Sequence, residues 1–383
     1  RLTKESISNG KTADTYSYEY DDYGNRSKMV ANGSEEYETV YDYTVNGKYT
    51  ALLQKEIKTV EETSNATISD GLAISPTDLI TSTAADAKTE ETAYSYDANG
   101  NQITKTAEGK TETNTYDGLN QLIGFTDGET TASYKYNADG LRTSKTIDGK
   151  TINHIWDGNK QIVVDMDDSD WYSAEVYVRG TNLLAKFSKQ SGNVKTDYQY
   201  YTQNAHGDGV NLADEDGAVT KSYTYDAFGV EVDPNSGDVN AFRFCGEYFD
   251  TETGTIYLRA RYYQASIGRF ISRDSYKGKN TDPLSLNLYT YCYNNPIIYT
   301  DPSGHKISDL LKPIFPSPTP TPKIIDPNCV KDVYQKVVRP TWEKAEPYVK
   351  STVGKIMTSQ KQDVDKIQNW MTKHSFTYSK GGV

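Results

Sequence analysis

Two aspartates near the end of the tyrosine-rich part of the chain have the type and spacing to do chemistry. Asp274 lies in "GRFISRDSYKG", and Asp301 follows in "NNPIIYTDPSGHK". Peptide hydrolysis by carboxylates needs such a pair, because one must be ionised to activate water while the other is protonated to polarise the carbonyl. The aromatic segment between them, "LNLYTYCYNNP", predicts a strand out and a strand back. We expect these strands to bring the two side chains together.

The same junction also has a purely structural interpretation. Asp301 followed by Pro302 is a favoured start of a tight turn, so local rules alone predict a bend that closes a domain. Two features favour chemistry: the second carboxylate, and the change of composition directly after Gly304. A cation nearby would hold one carboxylate in its charged form. The candidates for that role are Arg259, Arg261, Arg269 and Arg273.

The body that must position these residues is a repeat. Tyr96-Asp97, Tyr116-Asp117, Tyr136-Asn137 and Trp156-Asp157 follow one another at intervals of 20 residues. Each unit continues through an alternating segment into a second turn such as "IDGK". Positive-φ turns flanked by Thr, Tyr, Ile and Val predict antiparallel hairpins. A single hairpin cannot bury its own face, so we expect several to add side by side into a curled or spiral sheet.

Looser copies of the repeat occur at Tyr20-Asp21, Tyr41-Asp42 and Tyr225-Asp226. Residues 51–92 break the period and are interpreted as an inserted long hairpin or loop. The chain has 32 tyrosines against 9 phenylalanines, so we expect many buried rings to keep their hydroxyl at water or on a backbone carbonyl.

The Tyr-Asp units, "YDAFGVEV" and the block "FRFCGEYFDTETGTIYLRARYYQASIGRF" resemble the YD repeats and core-associated region of Rhs proteins. These include bacterial wall-associated and polymorphic-toxin members and, more distantly, Tc-toxin C components and teneurins. The similarity covers roughly residues 10 to 305. It implies a mainly β fold: a strand spiral around a hollow shell, a plug formed by the core-associated region, and a variable C-terminal effector held inside.

The resemblance also implies chemistry at the junction. Self-processing relatives release the effector by intramolecular aspartyl proteolysis after a Pro-x-x-x-x-Asp-Pro-x-Gly motif, which is matched here by Pro296, Asp301, Pro302 and Gly304. The second catalytic aspartate corresponds to Asp274 and the arginine of "ARYY" to Arg261. The implied cut falls between His305 and Lys306. The sequence departs from the pattern at Ser275, at His305 and at Tyr293, where relatives carry other residues.

The predicted domains are a YD-repeat region at 1–235, a core-associated plug and junction at 236–305, a proline-rich linker at 306–325 and a small helical segment at 326–383. Residues 306–383 hold 13 basic and 7 acidic residues, whereas 1–305 hold 28 and 46. An acidic body disfavours nucleic acid as a partner of the shell. The basic tail suits nucleic acid, an anionic membrane or the acidic body itself, but a lysine-coated helical face is the favoured explanation.

Cofactor and metal sites are not predicted. Cys245, Cys292 and Cys329 lie far apart and support neither a disulfide framework nor a cysteine-based metal site. A nucleophile pair of Cys329 and His374 has no flanking signature. The sequence shows no apolar stretch long enough to span a bilayer and no signal region at its start, so we expect a processed export signal or a segment of a longer chain.

Two functions remain open at this point. The first is a secreted or cell-surface polymorphic-toxin fragment, whose partners are its own C-terminal effector segment and an immunity protein. The second is a non-enzymatic wall-associated repeat protein that binds a cell-surface glycan or another partner. A truncated shell with an unsealed sheet edge would add pairing with further repeats or another copy.

Overall fold

The structure is a computed structural model that describes residues 1–8, 13–60, 87–169, 173–180, 182–189, 198–235, 237–305 and 376–377. The chain forms two compact units, Arg1–Glu112 and Thr113–Val383. The expected mainly β fold of antiparallel hairpins is confirmed. The expected proline-rich linker and helical tail lie outside the described residues, apart from residues 376–377, and so does most of the 51–92 insertion.

The first unit is a meander in which each long strand pairs antiparallel with the next. Its long strands are β1 (Lys4–Ser8), β2 (Ala13–Tyr20), β3 (Arg26–Asn32), β4 (Tyr37–Asp42), β7 (Lys55–Val60), β8 (Lys88–Tyr96) and β9 (Gln102–Ala107). A small hairpin, β5 (Thr44–Val45) and β6 (Lys48–Tyr49), lies between β4 and β7. The two ends of the predicted insertion are therefore paired, through β7 and β8.

The second unit continues the same pattern and begins in β10 (Lys110–Tyr116). The strands that follow are β11 (Leu122–Thr126), β12 (Thr131–Tyr136), β13 (Arg142–Ile147), β14 (Lys150–Asp157), β15 (Ile162–Asp167), β16 (Ala174–Arg179), β17 (Leu183–Lys189), β18 (Tyr198–Gln203), β19 (Gly209–Ala213) and β20 (Val219–Ser222). Each pairs antiparallel with its successor, which makes a continuous wall. A strand of two residues, Phe376–Thr377, pairs antiparallel with the end of β14.

In most turns of the Tyr-Asp type, the Asp or Asn at the start of the turn closes it. Its side-chain oxygen Oδ1 accepts the backbone N–H groups two and four residues ahead, at 2.8–3.0 Å, in eight turns of the described residues. Such turns need a short side chain with a carbonyl oxygen, so Asp and Asn both serve. The eight acceptors are Asp21, Asp97, Asp117, Asn137, Asp157, Asn204, Asp214 and Asp226.

The opposite ends of the hairpins close in the way the repeat predicts. Asp148 has φ +48° and Gly149 has φ +84°, so the two-residue turn between β13 and β14 has both central residues in the left-handed region. This turn geometry matches the right-handed twist of the paired strands. A β-bulge precedes the Tyr-Asp turns, as between Ile155 and Trp156. One turn of each kind and two strands account for the 20-residue period.

A second, smaller sheet lies within residues 236–305, the segment predicted to be the plug, and the name plug is kept here for that segment. Its strands are β21 (Tyr248–Asp250), β22 (Thr255–Leu258), β23 (Arg261–Gln264) and β24 (Arg269–Phe270), all antiparallel. Short 3-10 segments flank it at Phe244–Gly246, Ala265–Ile267, Pro283–Leu286 and Cys292–Asn294. Aromatic rings of the plug, including Tyr257 and Tyr262, form one buried core with Leu122, Tyr134 and Trp156 of the wall. The plug is thus fixed against the wall within this unit.

A buried ion network crosses this core. The Arg142 guanidinium of β13 binds both carboxylate oxygens of Asp250, at 2.6 and 2.9 Å, and neither side chain is exposed. Lys145 Nζ lies 3.0 Å from Asp250 Oδ1 and 3.1 Å from Glu252 Oε2. Each charge therefore has an opposite partner.

Within the described residues, the structure holds no helix with the length and apolar content needed to cross a bilayer.

Replacement of Arg142 by Ala should lower the free energy of unfolding by about 3–5 kcal/mol, because it leaves Asp250 buried with its main counter-charge removed. Urea unfolding measures the change. Lys150→Ala is the matched control: its partner Asp167 is 3.4 Å away and the Lys150 side chain is 68% exposed, so a loss below about 1 kcal/mol is expected. Equal losses in the two variants would contradict a structural role for the buried pair.

Candidate active site at the junction

The candidate site is built on the hairpin between β22 and β23. Leu258 pairs with Arg261, so two residues, Arg259 and Ala260, make the turn. Arg259 adopts φ +61°, which the twist of a two-residue hairpin favours. Arg261 is the first residue of β23, and its buried guanidinium lies 3.5 Å from the centre of the Phe270 ring. The hairpin therefore aims a fixed cation toward the junction.

The structure brings Asp274, Asp301 and Arg261 together. Arg261 Nη2 lies 2.8 Å from Asp274 Oδ2 and 3.7 Å from Asp301 Oδ2. All three side chains are buried, with at most 8% of each exposed. Asp274 is held in place by its backbone N–H, which donates to the Leu288 carbonyl at 3.0 Å, while Arg261 Nη1 donates to the same carbonyl at 3.0 Å. Two acids far apart in sequence thus share one guanidinium nitrogen.

The environment separates the proton affinities of the two acids. Burial raises the pKa of Asp301 above its ordinary value, and it outweighs the opposing effects of Arg261 and of the Ser303 hydrogen bonds. Burial also acts to raise the pKa of Asp274, but His305, Arg261 and the Tyr276 N–H together hold it below its ordinary value. Asp274 therefore favours the ionised form, and Asp301 is the acid that retains a proton more readily.

His305 contacts this pair, which the sequence did not indicate. Its ring nitrogen Nδ1 lies 3.3 Å from Asp274 Oδ1, with the His305 side chain 48% exposed. Its backbone N–H donates to Ser303 Oγ at 3.2 Å, and that hydroxyl donates to Asp301 Oδ1 at 3.0 Å. The sequence signal for this arrangement was Ser303, two residues after Asp301, since serine hydroxyls commonly close local turns.

Arginine side chains hold the backbone of the junction from two directions. Arg259 Nη1 donates to the Pro302 carbonyl at 2.7 Å, and Arg261 Nε donates to the Gly304 carbonyl. Gly304 adopts φ +68°, and a Cβ there would collide with the Leu258 carbonyl oxygen and lie 2.9 Å from the Arg261 nitrogen. Glycine is required at this position both by its conformation and by its close approach to the hairpin.

A cavity of about 30 Å³ adjoins the two acids. The residues that line it include Asp274, Asp301, Arg261, His305 and Cys292. A cavity of this kind needs a volume of roughly 10–15 Å³ to hold one water, and carboxylates and a guanidinium supply the polar partners such a water needs. The site can thus hold a water molecule next to both carboxylates.

The remaining predicted junction residues include Pro296, Pro302 and Lys306. Pro296 is buried and Pro302 is half-buried, while Lys306 lies outside the described residues. Before Pro296, the residues Cys292, Tyr293 and Asn294 all have φ between +49° and +57°. Three consecutive non-glycine residues in the left-handed region cost about 1–2 kcal/mol each. We infer that packing of Tyr291 and Cys292 in the plug core compensates for this conformation.

A second polar cluster was missed by the sequence analysis. His206, Asp208 and Cys245 place one ligand-type atom each within 4.8 Å of one another. The histidine and the aspartate sit in one Tyr-Asp-type turn, whereas the cysteine lies in the plug, so no local spacing connects them. Cys245 and Cys292 are both free thiols.

Comparison with known proteins matches this chain to a YD-shell family model and to bacterial nuclease and toxin proteins. The teneurin YD-shell family model matches residues 184–297. The tRNA3(Ser)-specific nuclease WapA of Bacillus spizizenii is 33% identical over 321 residues, which cover 80% of this chain and 11% of that protein. The toxin protein Tse5 of Pseudomonas aeruginosa is 32% identical over 102 residues, covering 26% of this chain and 7% of Tse5.

Among solved structures, that of TcdB2-TccC3-Cdc42 aligns with a TM-score of 0.41 at 17% identity, covering 79% of this chain and 18% of that one. The chain spans about a tenth of the length of the WapA protein that it matches.

Gly304→Ala should destabilise the junction more than Gly149→Ala does. Both glycines have positive φ, at +68° and +84°, so both substitutions carry the conformational cost, but a Cβ at Gly149 meets no atom within 4 Å. The expected difference in the free energy of unfolding is about 1–3 kcal/mol, the usual cost of overpacking. Urea unfolding of both variants measures it. Equal costs would show that the close approach to the hairpin is not maintained in solution.

Proposed function

Since the chain is a YD-repeat protein of the Rhs type, we propose that it is the shell and junction of a polymorphic toxin and that it releases its own C-terminal segment by aspartyl proteolysis. The cut falls between His305 and Lys306, and Asp274 and Asp301 are the catalytic acids. The observation that carries the proposal is the shared position of two buried carboxylates on Arg261 with pKa values displaced in opposite directions.

The chemistry assigns one role to each acid. Ionised Asp274 takes a proton from the water as the water oxygen attacks the carbonyl carbon of His305. Protonated Asp301 donates its proton to the carbonyl oxygen, which gives a neutral tetrahedral intermediate. When the C–N bond breaks, the proton held by Asp274 passes to the leaving nitrogen of Lys306, and the hydroxyl proton returns to Asp301. The products are a carboxyl group at His305 and a free amine at Lys306.

The surrounding contacts support this assignment. Carbonyl groups on either side of Ser303 are bound by Arg259 and Arg261, so the chain just before the cleaved bond has little freedom. Holding reacting groups in one arrangement removes entropy that a flexible chain would lose at the barrier. Arg261 also stabilises the ionised form of Asp274, which is the form that activates the water.

The released segment is proposed to be an effector or the beginning of one. The WapA relatives are named as tRNA nucleases and Tse5 as a toxin, and the double-stranded DNA deaminase toxin A of Burkholderia cenocepacia is 35% identical over 101 residues. These names differ in activity, so the match to the shell does not specify the effector. Partners in this proposal are the C-terminal segment itself and an immunity protein, with delivery outside the cell or at its surface.

Asp274→Asn and Asp301→Asn should each slow release of residues 306–383 by at least about 100-fold, the usual contribution of a positioned acid or base. Intact mass of the freshly purified chain, followed over days, measures cleavage. Asp117→Asn is the matched control, because its turn needs an accepting Oδ1, which an amide supplies, as Asn137 does. Wild-type chain that stays full length, or release that persists in both site variants, would reject proteolysis and leave a non-enzymatic shell.

Release should follow a bell-shaped pH profile. The rate falls as the pH drops through the lowered pKa of Asp274, because the base becomes protonated. It also falls as the pH rises through the raised pKa of Asp301, because the acid loses its proton. Rates from intact mass at a series of pH values test this. A rate that rises monotonically toward alkaline pH would assign release to hydroxide or to another group.

A further inference from the structure

The turn that joins β18 to β19 differs chemically from its equivalents. Asn204 Oδ1 already closes it by accepting the N–H groups of His206 and Asp208, at 2.9 and 3.0 Å. The His206 side chain is therefore not needed to close the turn, and Asp208 bonds to Asn204 through Oδ2, which leaves its Oδ1 facing His206. Both side chains point to the plug, where Cys245 lies in the 3-10 segment Phe244–Gly246.

Three donor atoms of different types converge there. His206 Nδ1 lies 2.8 Å from Asp208 Oδ1 and 3.7 Å from Cys245 Sγ. Zinc bonds of roughly 2.0–2.3 Å at tetrahedral angles put ligand atoms about 3.3–3.7 Å apart. The cysteine–histidine separation already matches, and the histidine–aspartate separation needs an increase of about half an ångström.

The outer partners of these residues have the arrangement that metal ligands need. His206 Nε2 faces the carbonyl oxygen of Tyr299 at 3.4 Å, and a carbonyl can only accept, so this contact favours the tautomer that carries its proton on Nε2. The Nδ1 of a neutral ring then points its lone pair at a carboxylate oxygen. This contact is favourable only with a cation between the two atoms, either a proton or a metal.

The other two ligands are also oriented. Asn204 Nδ2 donates to Asp208 Oδ2 at 2.7 Å, and the Cys245 backbone N–H donates to Asp208 Oδ1 at 2.8 Å. The Tyr291 hydroxyl lies 3.3 Å from Cys245 Sγ, where it can donate to a thiolate. Cys245 also lines a cavity of about 320 Å³ with Gln203, Gly207 and Gly246. One side of the cluster thus opens onto space for a further ligand.

We propose that His206, Asp208 and Cys245 form a three-ligand Zn²⁺ site whose fourth position is open to water. Imidazole, carboxylate and thiolate together suit Zn²⁺ better than Ca²⁺ or Mg²⁺, which prefer oxygen ligands alone. The ion would link the β18–β19 turn of the wall to the plug, and through the Tyr299 carbonyl it would also fix the segment that leads to Asp301. This site is independent of the proposed proteolysis.

The test uses the full chain after dialysis against EDTA. Added Zn²⁺ should give one ion per chain in native mass spectrometry and protect one thiol from iodoacetamide. Added Co²⁺ should produce the intense near-ultraviolet absorption of a thiolate–cobalt bond. Cys245→Ser and His206→Gln should weaken binding by at least 10-fold and abolish or reduce this absorption, whereas Cys329→Ser, which removes a thiol outside the cluster, should leave binding unchanged.

The wild-type measurements decide the outcome even if a variant fails to fold. Absence of the thiolate–cobalt absorption in wild-type chain, or no protection of a thiol by Zn²⁺, would overturn the site and assign the cation to a proton on His206. Absorption that persists in Cys245→Ser would place the metal elsewhere. The intact mass of the chain, recorded in the same samples, reports junction cleavage separately.

Discussion

The buried ion pair between Arg142 and Asp250 is the interaction on which the second unit depends. It joins a wall strand to the first strand of the plug with two hydrogen bonds, in a core without solvent exposure. A pair of this kind adds little net stability, but an arrangement that separates the charges is strongly disfavoured. We infer that it selects one position of the plug on the wall. That position fixes the β22–β23 hairpin and, with it, Arg261.

Burial of charged groups also makes the two aspartates beside Arg261 differ in pKa. One guanidinium faces two carboxylates, and their different surroundings move the pKa of Asp274 down and that of Asp301 up. His305 and the Tyr276 N–H add to the stabilisation of charged Asp274, whereas burial dominates at Asp301. A pair of acids in opposite protonation states is what hydrolysis by carboxylates requires. Gly304 lies close to the hairpin, and the ring of the next residue, His305, contacts Asp274.

The repeat also explains how the wall can carry chemistry without losing its form. In eight turns one accepting oxygen binds the backbone N–H groups two and four positions ahead, so these positions can hold different residue types. Asn159 and Gln161 occupy these positions in one turn, and His206 and Asp208 occupy them in another. A turn that faces the plug can therefore hold His206 and Asp208 near Cys245 while Asn204 keeps the turn closed.

The sequence by itself determined the local elements: the 20-residue period, the turn residues at both ends of each hairpin, and Asp274, Asp301 and Arg261 as candidates through the family motif. Those features depend on backbone rules that act over a few residues, such as the Asx turn and the Asp148-Gly149 turn. The tertiary structure alone decided which charges are buried together. Contacts of Asp274 with His305, of Arg142 with Asp250 and of Cys245 with His206 join segments 31 to 108 residues apart, and a repeat pattern carries no information about such pairings.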